Sequence, residues 1–332
     1  LFQLGDPQGE LQLRCSIAAY LHQARAVEAD PEQIVVGAGN DFLLLLLCSL
    51  FGTGQTIAME SPTYKKAYDL FRNLSNQVRI VEMDESGMRV DLLEQTDARV
   101  AYVMPSHQFP LGKVMPVGRR MQLLAWAAAK EGRYIIEDDY DSEFRYKGKP
   151  IPALQGYDRA ERVIYIGTFS KSIAPAIRVS YLVLPKSLLA LYRERGRVIS
   201  STVSRVDQRI IAGFLDGGYY ERHLNKMRAV YKARHDVLLE GLKAFRMICR
   251  VSGEHAGVHL LLTFTDGRDE AEAIRQAAQH GVRVYGLSRY YVGDATGKAS
   301  ATVILGYANL TEEAIREAVE RLRRAWLDKA GE

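Results

Sequence analysis

The run Thr168-Phe169-Ser170-Lys171-Ser172, followed by Arg178, gathers an amine, hydroxyls and a cation at one turn. Such a set suits an aldehyde cofactor that carries a phosphate, since lysine forms a Schiff base while hydroxyls and a guanidinium take the phosphate. The residues before it, Arg162 to Ile166, read as a buried strand. Lys171 therefore falls just past a strand's C-terminal end, where open α/β sheets bind ligands. Taken alone, a Ser-Lys-Ser turn reads as a solvated lysine, because motifs this short recur by chance.

A second cluster follows the apolar run Tyr134-Ile135-Ile136 and begins Glu137-Asp138-Asp139-Tyr140-Asp141. Carboxylates at a buried strand end need positive partners, and a pyridinium nitrogen is one such partner. A carboxylate beside it keeps the ring protonated and electron-withdrawing, as pyridoxal phosphate chemistry requires. Asp138 is the residue chosen for that role, with Tyr140 two residues on, on the same strand face, to meet the ring's phenolic oxygen. A solvated acidic loop or a metal site is the alternative for this segment by itself; no metal is expected, since no histidine is near it in sequence. A third element, Ile34-Val35-Val36-Gly37-Ala38-Gly39-Asn40-Asp41, is a strand that breaks at two glycines and opens an apolar helix from Phe42 to Phe51. Glycines let backbone approach a phosphate, and a helix N-terminus offers free N–H groups.

Together these segments and Ser106-His107-Gln108-Phe109-Pro110-Leu111-Gly112 resemble the aminotransferase-like domain of MocR/GabR-type bacterial transcription regulators, over essentially the whole chain. The resemblance implies Lys171 as the Schiff-base lysine, Asp138 as partner of the pyridine nitrogen and Tyr140 as donor to the phenolate. It implies Tyr64 stacked on the ring, Gly39, Asn40, Thr168, Ser170 and Arg178 on the phosphate, and His107 beside the cofactor. Arg289 falls where such proteins place an arginine that grips an effector carboxylate, and Lys66 and Phe109 are expected near the effector. Core packing for Tyr64 and a surface charge for Arg289 are the alternatives. Ordinary aminotransferases resemble Asn-Pro-x-Gly where this chain has Phe109-Pro110-Leu111-Gly112, so a cofactor contact is replaced. Lys66 replaces an arginine of some relatives, and Ile304 stands where many aminotransferases carry their carboxylate-binding arginine.

The chain has 332 residues, 47% of them apolar and 25% charged, with a net charge of +4. That length suggests two lobes, and dispersed charges of both signs give no nucleic-acid footprint. Three cysteines, Cys15, Cys48 and Cys249, form no ligand pattern and fit a reducing bacterial cytoplasm. The apolar run around Leu43 to Leu47 is about half the ~20 residues a membrane span needs. Leu1-Phe2-Gln3-Leu4 shows no leader, and the chain reads as an excised domain.

Apolar runs at Thr56 to Met59, Val78 to Val81, Val100 to Met104, Arg133 to Glu137, Val163 to Ile166 and Val179 to Leu184 alternate with helices, and prolines including Pro150 punctuate the loops. The expected fold is α/β of the fold-type I pyridoxal-phosphate kind, a large mostly parallel sheet domain plus a smaller C-terminal α/β domain. Residues 1–29 are expected to pack with the small domain, 30–215 to form the large domain and 216–332 the small one. The expected function is the effector-binding and dimerising domain of such a regulator, sensing a small amino acid, γ-aminobutyrate or alanine-like, through pyridoxal 5′-phosphate. A homodimer is expected, and operator DNA is met only through an N-terminal winged helix-turn-helix absent from this chain. A working aminotransferase is the main alternative, and a cofactor-free structural dimer a third.

Overall fold

Continuous apolar runs flanked by glycine or proline become central strands here, because a parallel sheet covered on both faces buries every side chain of a strand. The computed structural model describes residues 3–146, 151–254 and 256–327. Leu1, Phe2 and Pro150, used in the sequence reading, lie outside them. The large sheet contains β1 (Ile34–Gly37), β2 (Thr56–Met59) and β3 (Gln77–Ile80), and a short hairpin follows, β4 (Met83–Asp84) with β5 (Gly87–Met88). The sheet continues with β6 (Val100–Val103), β7 (Tyr134–Asp139), β8 (Val163–Thr168) and β9 (Ser180–Val183). Its order is β1-β9-β8-β7-β6-β2-β3. Parallel pairing joins β8, β7, β6, β2 and β3, while β9 runs antiparallel to both β8 and β1. The reversed strand β9 follows directly from Arg178 and brings it back beside the end of β8.

Helices α1 (Leu11–Arg25), α2 (Asn40–Phe51), α3 (Lys65–Asn73), α4 (Val90–Leu93), α5 (Val117–Ala128), α6 (Lys186–Leu191) and α7 (Arg205–Asp216) accompany this sheet. On one face, Leu43, Leu44 and Leu47 of α2 pack with Phe71, Tyr102 and Ile166. The long α8 (Tyr219–Leu242) then leads to a four-stranded antiparallel sheet of order β10 (Cys249–Ser252), β11 (His259–Phe264), β13 (Thr302–Gly306) and β12 (Tyr285–Gly286). Helices α9 (Glu270–Gln279) and α10 (Glu312–Trp326) cover it. Tyr220 and Leu224 at the start of α8 belong to a large-sheet core, while Leu238 and Leu242 at its end belong to the small-sheet core. One helix thus ties the two lobes, and its first turns, past the boundary expected at residue 216, pack with the large sheet.

The N-terminal helix corrects an expectation. Leu13, Ile17 and Leu21 of α1 pack with Tyr165 and Tyr181 of the large sheet, with Ile211 of α7, and with the first turns of α8. Its main seat is the large lobe, because its apolar stripe meets the sheet face that α2 leaves open. No described helix is long and apolar enough to cross a membrane.

Candidate functional site

The C-terminal ends of the parallel strands β6, β7 and β8 open into a cavity of about 190 Å³ lined by Asn40, Asp41, Tyr64, Met104, Phe109, Asp138, Tyr140, Thr168, Ser170, Lys171 and Arg178. Chain segments ranging from Asn40 to Arg178 meet there, the location where α/β sheets place ligands.

Register explains the meeting. Asp138 pairs with Ile166 and Asp139 with Gly167, so the end of β7 lies beside Thr168 and the turn that carries Lys171. The run of carboxylates is sorted by partner. Glu137 accepts from the backbone N–H groups of Leu154 (2.7 Å) and Gln155 (2.9 Å). Asp139 takes Arg25 Nε at 2.9 Å and the Tyr165 hydroxyl at 2.6 Å. Asp141 faces His107 Nδ1 at 2.9 Å. Asp138 turns to the cavity instead, held by the Tyr102 hydroxyl at 2.5 Å and Asn40 Nδ2 at 3.1 Å. Desolvation pushes its carboxyl up to about 6, against the pull of the Tyr102 and Asn40 hydrogen bonds. The carboxylate is 3% exposed and has no cation within hydrogen-bond reach among the described residues, so it suits a cationic partner.

At the other end, Gly39 adopts φ 87° as the residue before α2, and an added Cβ would lie 2.6 Å from Arg178 Nη2. Conformation favours glycine there, and an added Cβ would displace the Arg178 guanidinium. Arg178, itself left-handed at φ 49°, reaches Asp41 Oδ2 at 3.1 Å. The buried Ser170 Oγ and Asn40 Oδ1 have no hydrogen-bond partner among the described residues. Orphaned polar atoms, a glycine cradle, a helix N-terminus and a guanidinium at one end, with a buried carboxylate and a lysine at the other, fit a phosphorylated pyridine aldehyde. Tyr64 and Phe109 close the cavity, their rings edge to face with centroids 6.3 Å apart.

Of the residues expected from sequence, the cavity brings together Asn40, Tyr64, Phe109, Asp138, Tyr140, Thr168, Ser170, Lys171 and Arg178, with Gly39 beneath Arg178. Three stand elsewhere. His107 is not in the lining: it sits behind Tyr140, stacked on its ring at 6.0 Å, because Asp141 draws its imidazole away from the cavity. A histidine distant in sequence from the acidic run is thus brought to it in space. Lys66 is exposed on α3. Arg289 is exposed too, its guanidinium over the rings of Tyr285 and Tyr290 at 5.3 and 5.7 Å. Ile304 is packed with Leu261 and Leu287, next to Leu111, Tyr290 and Tyr291.

Sequence reasoning missed Tyr102, Asp41 and Met104. A tyrosine inside the apolar run of β6 was the available signal for the first, since a buried phenol needs an acceptor on the neighbouring strand.

A parallel sheet with a lysine past one strand and an aspartate at the end of the next defines the fold-type I architecture of pyridoxal-phosphate proteins, and pyridoxal 5′-phosphate is the cofactor. The chain belongs to the family "Aminotransferase class I and II", whose profile matches residues 1–322, and its relatives there include MocR-type helix-turn-helix regulators. The HTH-type transcriptional regulator YdeL of Bacillus subtilis is 40% identical over 327 residues, 98% of this chain and 70% of that protein. The pyridoxine biosynthesis transcriptional regulator PdxR of Corynebacterium glutamicum is 32% identical, over 93% of this chain and 66% of that protein. Among solved structures, the kynurenine aminotransferase of Pyrococcus horikoshii superposes with a TM-score of 0.85 at 27% identity, covering 100% of this chain and 83% of that one.

Proposed function

We propose that this chain is the effector-binding and dimerising part of a cytoplasmic MocR-type regulator, in which the cofactor is carried on Lys171 and a small amino acid is sensed. The carrying observation is the convergence of Lys171, Asp138, Tyr140 and Arg178 on one cavity. When bound, the cofactor supplies an aldehyde that condenses with primary amines and a ring that draws electrons while its nitrogen is protonated. The chain's own residues do the rest. Asp138 holds the proton on that nitrogen, and Arg178, Ser170 and the start of α2 anchor the phosphate. Tyr64 covers the ring face. Lys171 would carry the aldehyde by its side-chain amine, and γ-aminobutyrate and alanine are the first competing amines to try. A signal to a helix-turn-helix segment requires that the amine bind two conformations unequally, since equal binding shifts no population.

Two features favour sensing over turnover. The apolar packing around Ile304 offers no charge to a substrate carboxylate, and Phe109 brings no hydrogen-bond donor. The same features support a second reading, in which the cofactor itself is the signal: Arg178 is the one guanidinium lining the cavity among the described residues, and it lies at the phosphate end.

The test is an absorbance titration of cofactor-loaded protein with a panel of amino acids, alongside multiple-turnover keto-acid production. Saturable spectral change by at least one amino acid, with turnover well below ~1 per second, is expected. Rates in the usual range of ~1 to 10³ per second replace the sensor with an aminotransferase. A panel without response replaces the amino acid with the cofactor as signal.

A further inference from the structure

His107 is 3% exposed and stands outside the cavity. Its Nδ1 lies 2.9 and 3.1 Å from the two Asp141 carboxylate oxygens and 3.0 Å from the Tyr140 hydroxyl. A carboxylate only accepts, so Nδ1 carries a proton and gives it to Asp141, with the Tyr140 oxygen as a second acceptor of the same N–H. An oxygen that accepts there keeps its own proton for another direction. Asp141 is the competing taker of the Tyr140 proton, but the direct hydrogen bonds of both its oxygens and of the Tyr140 hydroxyl are to His107 Nδ1.

We infer that His107 is a positioning residue, aiming the hydroxyl proton of Tyr140 into the cavity, where the phenolic oxygen of the cofactor is the acceptor in the reading above, on which this inference rests. Phe109, whose ring lies 6.1 Å from that of Tyr140, offers no donor on this side, so the aim of one hydroxyl matters.

The small lobe fixes the imidazole. A side chain at Gly257 would overlap the His107 ring, and one at Gly112 would crowd it at 3.3 Å. Gly257 is itself tied down: its N–H donates to Phe144 O at 2.8 Å, and its carbonyl accepts from Tyr146 at 2.7 Å and Tyr307 at 2.9 Å. The charged and titratable groups facing His107 are Tyr140, Asp141, Asp139 and Arg145 from β7 and the loop after it, and His259 from β11 at 5.8 Å between rings. Burial works against a charge on His107, but the charge and hydrogen bond of Asp141 outweigh it and raise its pKa. The Tyr140 hydroxyl, raised well above its ordinary value by burial, remains a donor.

The experiment follows the pH midpoint of the bound cofactor's visible absorption in wild type, Tyr140→Phe, His107→Leu and His107→Asn, with cofactor affinity measured on each. A donor on the phenolic oxygen stabilises its negative charge, most in the deprotonated chromophore, so losing it raises the midpoint. Tyr140→Phe and His107→Leu are expected to move it up by about one pH unit, the size of one charge-assisted hydrogen bond. Asparagine places an N–H₂ where Nδ1 stood and returns the midpoint toward wild type. A leucine variant at the wild-type midpoint while Tyr140→Phe shifts, or leucine and asparagine shifting alike, overturns the inference and leaves the cofactor site standing. Wild-type protein that takes up no cofactor overturns both. A second measurement needs no variant: the ¹⁵N spectrum must show His107 Nδ1 protonated at neutral pH, and an unprotonated Nδ1 refutes the positioning role.

Discussion

Asp138 differs from the acids around it in what satisfies it. Glu137, Asp139 and Asp141 each have a backbone, arginine or histidine partner, whereas Asp138 has a phenol, an amide and an open cavity. Removing one partner of a buried ion pair costs about 3 to 5 kcal/mol, so Asp138→Asn is expected to weaken cofactor binding on the order of 10²-fold or more. The pH dependence has a definite sign. Before the cofactor binds, the Asp138 carboxyl titrates at about 6, and pairing with a protonated ring nitrogen demands the carboxylate. Affinity is therefore full above pH 6 and declines below it, approaching tenfold per unit as the carboxyl must first lose its proton. Dissociation constants measured between pH 5 and pH 7.5 check this; a wild-type profile as flat as that of the asparagine variant removes Asp138 from the ring nitrogen.

The turn into α2 concentrates conformational demand at Gly39. A Cβ there meets both an unfavourable positive φ and the Arg178 guanidinium. Gly39→Ala is expected to destabilise the protein by about 1 to 2 kcal/mol and, by pushing Arg178 aside, to weaken pyridoxal phosphate more than pyridoxal; denaturant melts and paired affinities measure both effects. An equal loss for both ligands places the phosphate elsewhere. The central strands were legible from sequence because burial on both faces leaves an uninterrupted apolar run: Thr56–Met59 and the start of β8 at Val163 are where the sequence puts them. The reversal of β9 was not, since an apolar run carries no direction. Likewise the lysine turn, the glycine turn and the acidic strand end could be read as one site because each carries its own chemistry in a few residues. The His107–Asp141 pair spans 34 residues and the outward course of Arg289 depends on the rings of Tyr285 and Tyr290, so neither had a local signal.

Across the molecule, the start of α8 meets the lysine turn, with Tyr220 donating to the Ser172 hydroxyl at 2.8 Å, and its end joins the core of the small lobe, so one helix connects the cavity's edge to the second lobe. Large exposed apolar side chains gather on the packed pair α1 and α7, with Leu11 on the first and Val206 and Ile210 one turn apart on the second. Exposed apolar side chains on two packed helices are a candidate interface, and a second copy of the chain is the partner proposed for it in the dimer. Val206→Glu with Ile210→Glu is expected to convert a dimer into a monomer in sedimentation velocity, without loss of helical circular dichroism; a dimer that survives both charges excludes this face. Everything above depends on which amine carries the cofactor. Borohydride reduction of the yellow, cofactor-loaded protein followed by peptide mapping tests it most directly: the account predicts the phosphopyridoxyl group on Lys171, with Lys171→Ala unlabelled, and label on any other lysine contradicts it.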